Sequence, residues 1–487
     1  MGTKLRGGVG LGVLVAVALV RCVSGDDSTT TDSGLDGTTS DSAADVVQND
    51  GGPKDATSDG DGGPTCVVPD SGAHGSLDNS FSTAALTSIT NGFAATAIAI
   101  DGTGRVYVGG QASGGSCGTL DFALVRLTSD GNVDTTFNVA NAPKCYSLDA
   151  TAGAINAVYA MAIDSQGRVV MGGISGHANH YFASVARVDD KGALDTSFNG
   201  TGLVDVLGAD AGIAAGNGNG FVTIYGVAIA AGDKVVITGT DDNGGSNAPW
   251  KAGYVARLTS GGALDIGFAT GGLYTDPSVH GYWGVTVDAN DAITTIGYDK
   301  GAPNRMVVRR LNSSGAPDGT FGTDGGLVTL PTFVDGGGTD VGRSLLHLPN
   351  GNLLAAGAVN ASNLAGGTGV AMLQSNGALQ SSFAGGQATY PNLQFFAFYM
   401  TSALASLCDG TMFVAGAVNS NPNQDIAIAK ILPNGTLDPT FGGDAGLAVI
   451  AVAGNQLPAQ MAQDPITGKL VVVGGTGGQT VVARFNP

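Results

Sequence analysis

The sequence predicts an all-β protein, a seven-bladed β-propeller built from four-stranded antiparallel blades. Three observations carry this expectation. A D-x-x-F motif recurs along the chain at Asp78/Phe81, Asp134/Phe137, Asp195/Phe198, Asp265/Phe268, Asp318/Phe321 and Asp438/Phe441, with Gln380/Phe383 as a variant. The phenylalanines are 56, 61, 70, 53, 62 and 58 residues apart, a period that marks a repeat architecture. Each interval also holds four short runs rich in β-branched and aromatic residues.

Composition agrees with this class. Of 487 residues 81 are Gly, only 13% are charged, and the 40 acids are all Asp. Asp, Asn and Gly favour turns, whereas the helix-surface residue Glu is absent. A net charge of −19 excludes the basic surface that nucleic-acid binding requires.

At the N-terminus, Lys4 and Arg6 precede the 12-residue apolar run Val9 to Val20, the pattern of an export signal. The following "LVRC" places Cys22 where a bacterial lipoprotein carries its lipidated cysteine, although Arg21 replaces the usual small residue. Cleavage after "VSG" (23–25), giving a secreted chain, is the rival expectation. Residues 1–22 are therefore read as a signal peptide, and the chain as an exported cell-surface lipoprotein or a secreted protein. Residues 23–70 contain 11 Asp, one Lys and no aromatic residue, which predicts a disordered tether unable to bury a core. The Asp-rich fragments lack the spacing and terminal Glu of a calcium loop.

The propeller is expected over 76–487. In the third interval, strands are expected at 202–207, 221–230, 234–239 and 253–258, with the D-x-x-F segment linking one blade to the next. The chain enters its first unit and leaves its last midway, so the two ends are expected to share a blade as a clasp that removes exposed sheet edges. A basic residue stands eight positions before each repeat acid: Arg126 before Asp134, Arg187 before Asp195, Arg257 before Asp265, Arg310 before Asp318 and Lys430 before Asp438. Where Gln380 replaces the acid, Met372 replaces the base. Joint loss of both charges predicts structural ion pairs, and Arg484 is expected to pair with Asp78 across the clasp.

The combination of "VARL", a Gly turn, "LD" and "TF" resembles the delta-60 repeat family of bacterial β-propeller proteins. The resemblance is clearest in "FALVRLTSDGNVDTTF" (122–137), "VARVDDKGALDTSFNGTGLV" (185–204) and "YVARLTSGGALDIGF" (254–268). It implies the fold; the family has no established activity, so it implies no chemistry.

Strand alternation places the D-x-x-F links on one face and the variable connections on the other, where a ligand is expected. Cys117 and Cys145 fall in variable connections flanking one strand and are a disulfide candidate in an exported protein, with Cys66 and Cys408 left over. Tyr146, Trp250, Tyr282 and Trp283 lie in or beside the same connections and are candidate ligand-face aromatics, with burial at the blade ends as the competing reading. His177 and His180 in "HANH" lack a third metal ligand, and "FFAFYM" (395–400) is read as a buried strand. No linear catalytic motif, metal site or cofactor is indicated.

The leading expectation is a monomeric, non-enzymatic binding module. Its partner is an extracellular or envelope protein or glycan, and membrane contact is made only through a lipid anchor. The alternative is a glycan-active hydrolase or lyase using Asp carboxylates from several blades, with Asp210, Asp241 and Asp242 as candidates.

Overall fold

The structure is a computed structural model. It describes residues 74–82, 86–89, 92–114, 117–118, 120–138, 142–151, 154–177, 180–207, 220–242, 252–333, 338–359, 366–395, 403–406, 410–420, 423–443, 446–450, 457–476 and 479–487. The export signal, Cys22, the 23–70 segment, Cys66, Asp210, Trp250, 396–400 and Cys408 lie outside these residues.

Every regular element of length is a strand. After β1 (Leu86–Ile89), the first repeat supplies β2 (Phe93–Ile100), β3 (Val106–Ala112), β4 (Asp121–Leu127) and β5 (Lys144–Tyr146). The next two supply β6 (Ile155–Ile163), β7 (Val169–His177), β8 (His180–Val188), β9 (Leu203–Leu207), β10 (Gly220–Ala230), β11 (Lys234–Asp242), β12 (Ala252–Leu258) and β13 (Leu273–Asp276). Then follow β14 (Val279–Val287), β15 (Ile293–Asp299), β16 (Met306–Leu311) and β17 (Leu327–Thr329). The chain continues through β18 (Val341–His347), β19 (Leu353–Ala358), β20 (Gly366–Leu373), β21 (Gln387–Phe395), β22 (Ala403–Ser406), β23 (Met412–Ser420), β24 (Asn423–Ile431) and β25 (Leu447–Ile450). It ends with β26 (Pro458–Gln463), β27 (Leu470–Thr476) and β28 (Gln479–Phe485).

The protein is an all-β propeller, but the expectation of seven four-stranded blades is corrected. The described strands form five sheets: β2–β5, β6–β13, β14–β17, β18–β25, and β26–β28 completed by β1. Two of the five have eight strands. In one, β8 outruns its five-residue neighbour β9, and the overhanging His180 and Tyr181 pair in parallel with Gly220 and Phe221 of β10. In the other, Gln394 near the end of β21 pairs with Ala417 of β23. An overhanging edge strand carries unpaired peptide groups, and the adjacent strand satisfies them. Sequence periodicity counts repeats, whereas main-chain hydrogen bonds decide how many sheets the repeats make.

A second correction concerns the repeat boundary. The run at 202–207 is not the first strand of a unit: β9 pairs antiparallel with β8, and likewise β13 pairs with β12. The D-x-x-F segment therefore joins neighbouring strands of one sheet instead of linking one sheet to the next.

The inner strands contact one another in a closed circuit, β2 to β6, β10, β14, β18, β22, β26 and back to β2. The chain ends meet in one sheet, where Leu86 to Ile89 pair with Ala483 to Thr480. Apolar cores lie between packed layers of strands, either from two sheets or within one eight-stranded sheet; Val108, Val125, Val471 and Val482 share one of the former, and Val170, Val185, Val222 and Ile237 one of the latter.

Candidate functional site

The two faces of the ring are built differently. On the face carrying the D-x-x-F links, each repeat arginine does three jobs. Arg187 donates from Nε to Asp195 Oδ2 at 2.8 Å, lies 4.5 Å over the Phe198 ring, and donates from Nη1 to the Ser260 carbonyl of the following repeat at 2.6 Å. Arg257 repeats this with Asp265, Phe268 and Ser313, and Arg310 with Asp318, Phe321 and Ser375. Arg126 pairs with Asp134 at 2.8 Å and also reaches the Asp190 carbonyl. Arg484 joins Asp78 at 2.7 Å across the chain ends and donates to the Ser129 carbonyl at 2.8 Å. Lys430 and Asp438 are 3.7 Å apart.

The third contact makes the pair a staple between repeats, which pair spacing alone did not reveal. The phenylalanine adds to it, because its ring packs beneath the turn of the next repeat. At Gly192, φ is +73° and a Cβ would stand 2.6 Å from the Phe137 ring, so both backbone and space demand glycine. Burial alone would raise the Asp195 and Asp134 carboxyls, but hydrogen bonds from Ser197 and Thr136 and the arginine charges hold both below the usual range. At Asp265, the Lys234 ammonium at 2.9 Å is the largest lowering influence. Where Met372 and Gln380 replace the pair, Met372 is buried among apolar residues and Gln374 donates to Gln380 at 2.9 Å.

Of the candidate aromatics, Tyr146, Tyr282 and Trp283 lie in strands, and Trp250 lies outside the described residues. Residues 276–283 are mostly strand, not loop: Tyr282 and Trp283 lie within β14 and are buried. Tyr146 is buried in β5, its hydroxyl donating to the Gly192 carbonyl at 2.9 Å. His177 ends β7 and His180 begins β8, and the two are paired opposite one another. Asp241 is buried in β11, and Asp242 ends that strand. Cys117 and Cys145 are disulfide-bonded with Cα atoms 5.4 Å apart, fastening the connection after β3 to the outer strand β5.

Midway along the inner strands, the backbone singles out another set of residues. Every inner strand paired over this stretch has a bulge, skipping Thr96, Tyr159, Tyr225, Trp283, Arg343 and Ala459 in turn. A bulge re-aims its side chain out of the pleat. Four of the re-aimed side chains meet across successive strands. Tyr159 and Tyr225 have centroids 5.7 Å apart, Tyr225 stacks on Trp283 at 5.4 Å and 11°, and the Arg343 guanidinium lies 4.8 Å over Trp283. Tyr298 of β15 extends the arc, 4.9 Å from Trp283 and 4.8 Å from His280. Beside it, at the parallel β8–β10 seam, Tyr181 stacks on Phe221 at 4.4 Å and 19°.

Tyr181, Phe221, Tyr225, His280 and Tyr298 are half-buried, whereas Tyr159 and Trp283 are buried. Burial pushes the Tyr298 phenol up to about 12, and burial with the Lys300 charge lowers His280, which leaves both neutral at pH 7. The residue after each described bulge is compact in most repeats, as in Ala97, Ala160, Gly226, Gly284 and Ser344. At Gly284 a Cβ would stand 2.9 Å from the Arg343 carbonyl, so the next inner strand forbids a side chain. Sequence reasoning missed Tyr159, Tyr225, His280, Tyr298 and Arg343. The available signal was a column: "VYA", "IYG", "YWG" and "GRS" align one re-aimed residue before one small residue.

Two segments, 102–137 and 409–441, match the family described as "Domain of unknown function (DUF5122) beta-propeller". Both cover the same part of the repeat, ending at the phenylalanine of a D-x-x-F link. The chain is thus similar to a β-propeller repeat family over these stretches. No curated protein matches the sequence.

Proposed function

We propose that this chain is an exported, non-enzymatic binding module of the delta-60 repeat kind. In this reading, 1–22 is the export signal, 23–70 a solvated tether and 76–487 the propeller. Cys22 is the lipid acceptor in a surface-anchored form, and the partner is an extracellular or envelope glycan or protein.

The observation that carries the reading is the contrast between faces. The link face is committed to Arg–Asp–Phe staples, while towards the opposite face the pairs Tyr181–Phe221 and His280–Tyr298 are only half-buried. The Cys117–Cys145 bond supports export, because disulfides persist in oxidising compartments.

Glycan and protein arrays probed with the purified chain test the binding surface. Binding is expected to fall at least about tenfold in Tyr298→Ala, a loss of about 1.4 kcal/mol, and to be unchanged by Ile266→Ser on the link face. Ile266 is 82% exposed there, so its replacement leaves the fold intact. The opposite pattern would overturn the reading. For the anchor, Cys22→Ser is expected to move the chain from membranes to the soluble fraction.

A further inference from the structure

We infer that one junction of the ring holds an internal water molecule, which bridges the hydroxyls of Thr286 and Thr294 to the imidazole of His347 between the β14–β17 sheet and β18. The site is separate from the binding reading above and does not depend on it.

Register fixes one wall. Towards the link face, an inner-strand residue pairs with one on the second strand, and that residue pairs with the repeat arginine. The line reads Ala162, Val170 and Arg187 in one repeat, and Ala228, Val236 and Arg257 in the next. In the β14–β17 sheet it reads Thr286, Thr294 and Arg310. Directly opposed residues share one face of a sheet. Arg310 Nη1 donates to the Ser375 carbonyl in the turn after β20, so this face looks onto the following sheet. Thr286 and Thr294 are thus turned towards β18, which packs on both β14 and β15.

His347 forms the other wall. It ends β18 and pairs with Leu353, and Leu353 packs with Ile296, Val308 and Phe321 of the preceding sheet. His347 therefore looks back at the two threonines. The equivalent inner-strand residues Ile163, Ile229 and Val287 are apolar, and Gln463, the other polar one among the described residues, donates to its own turn at Gly468. Here polar residues stand on both walls of one junction, where neighbouring repeats place Ala, Val and Ile. Two-sided polarity is what a shared hydrogen-bonding partner requires, because a lone buried polar group is costly.

Direct bonds across the junction are not made. Thr286 and Thr294 are fully buried, and their Oγ1 atoms, like His347 Nε2, are buried without a hydrogen-bond partner among the described residues. Polar atoms that share one end of an interface without bonding one another are the pattern a bridging water satisfies. The chemistry of the three selects this occupant. A hydroxyl donates and accepts, and a neutral imidazole nitrogen does one or the other according to tautomer. Burial, with the Arg310 charge, lowers His347 against the pull of Asp288, which keeps the ring neutral at pH 7. Two hydroxyls and one imidazole lack the carboxylate or thiolate that a divalent cation favours, and the Arg310 charge is already met by Asp318. A small neutral molecule that both donates and accepts fits all three.

The test is a crystal structure of the full chain at a resolution that shows ordered water, solved beside that of Thr286→Val/Thr294→Val. One density peak is expected within about 2.6–3.2 Å of all three polar atoms, and it is expected to be lost in the variant. Direct bonds among the three groups with no peak between them overturn the inference. A peak at about 2.0–2.4 Å would be a metal ion and overturns it too. Denaturant unfolding supplies a second readout. Thr294→Val and His347→Leu are each expected to raise the unfolding equilibrium constant at least about fivefold, since each strands the remaining groups. The triple variant Thr286→Val/Thr294→Val/His347→Leu makes the junction apolar like its neighbours, and is expected to cost less than the product of the single effects. Strictly multiplying effects would show that the three groups share no partner.

Discussion

The two faces of this propeller solve opposite problems with the same repeat. On the link face, Arg187, Asp195 and Phe198 are turned to contacts within the protein: the guanidinium meets a carboxylate, a ring and the next repeat's Ser260 carbonyl. Towards the loop face, Tyr225, Trp283 and Tyr298 stack among themselves, Trp283 buried and both tyrosines half-buried. The staple must be the same each time because each junction has the same geometry. The bulge position is constrained only in its backbone, so its side chain is free to differ. Uniform residues therefore mark assembly, and one backbone feature holding different side chains marks diversification.

The largest effect expected from breaking this contrast comes from the fully buried Phe198. Phe198→Ala removes a ring that fills the space under the next repeat's Gly262, and should cost about 3–5 kcal/mol in denaturant unfolding. The half-buried Tyr298, replaced in the same way, should cost clearly less. Equal losses would erase the distinction between the faces.

The natural exception at Met372 and Gln380 sharpens the comparison. Arg187→Met leaves Asp195 half-paired with Arg168, 3.4 Å away, and should cost about 2 kcal/mol. Adding Asp195→Gln recreates the exceptional pair and should recover at least about half of that loss in a double-mutant cycle. Strict additivity would show that the ion pair itself contributes nothing.

The smallest expected effect is in pH dependence. Asp78, Asp134, Asp195, Asp265, Asp318 and Asp438 are all held below the usual carboxylate range. A carboxyl with a depressed folded-state pKa stabilises the fold fully above its unfolded value near 4, and that stabilisation is lost as pH falls through the folded value. Stability should therefore decline below about pH 4. Asp78→Asn, which removes the carboxylate shared by Arg484 and Lys469, should make that acid limb shallower. An unchanged limb would assign acid sensitivity to other groups.

Much of the link face was legible in linear order. Arg and Asp eight residues apart, with Phe three further on, occupy a β-strand end and a tight turn, and local geometry of that kind repeats wherever the residues do. Even the paired loss at Met372 and Gln380 follows from a local rule, the cost of a buried charge without a partner. The candidate site was less legible. Tyr282 was read as a ligand-face aromatic, yet its hydroxyl donates to Asp276 at 2.8 Å inside the sheet. Its neighbour Trp283 belongs to the arc only because a bulge between Tyr282 and Gly284 turns it.

By itself, the sequence determined the β class, the repeat period, the Arg–Asp–Phe turn and the divergence between the two sets of connections. These depend on residues within about a dozen positions of one another, where propensity and turn chemistry act. Only the tertiary structure decided that the repeats form five sheets, that each arginine reaches into the following repeat, and that Tyr159, Tyr225 and Trp283 stack. Those outcomes depend on which edge peptide groups find partners and on which strands become neighbours. Residues some 60 positions apart meet only when the ring has closed.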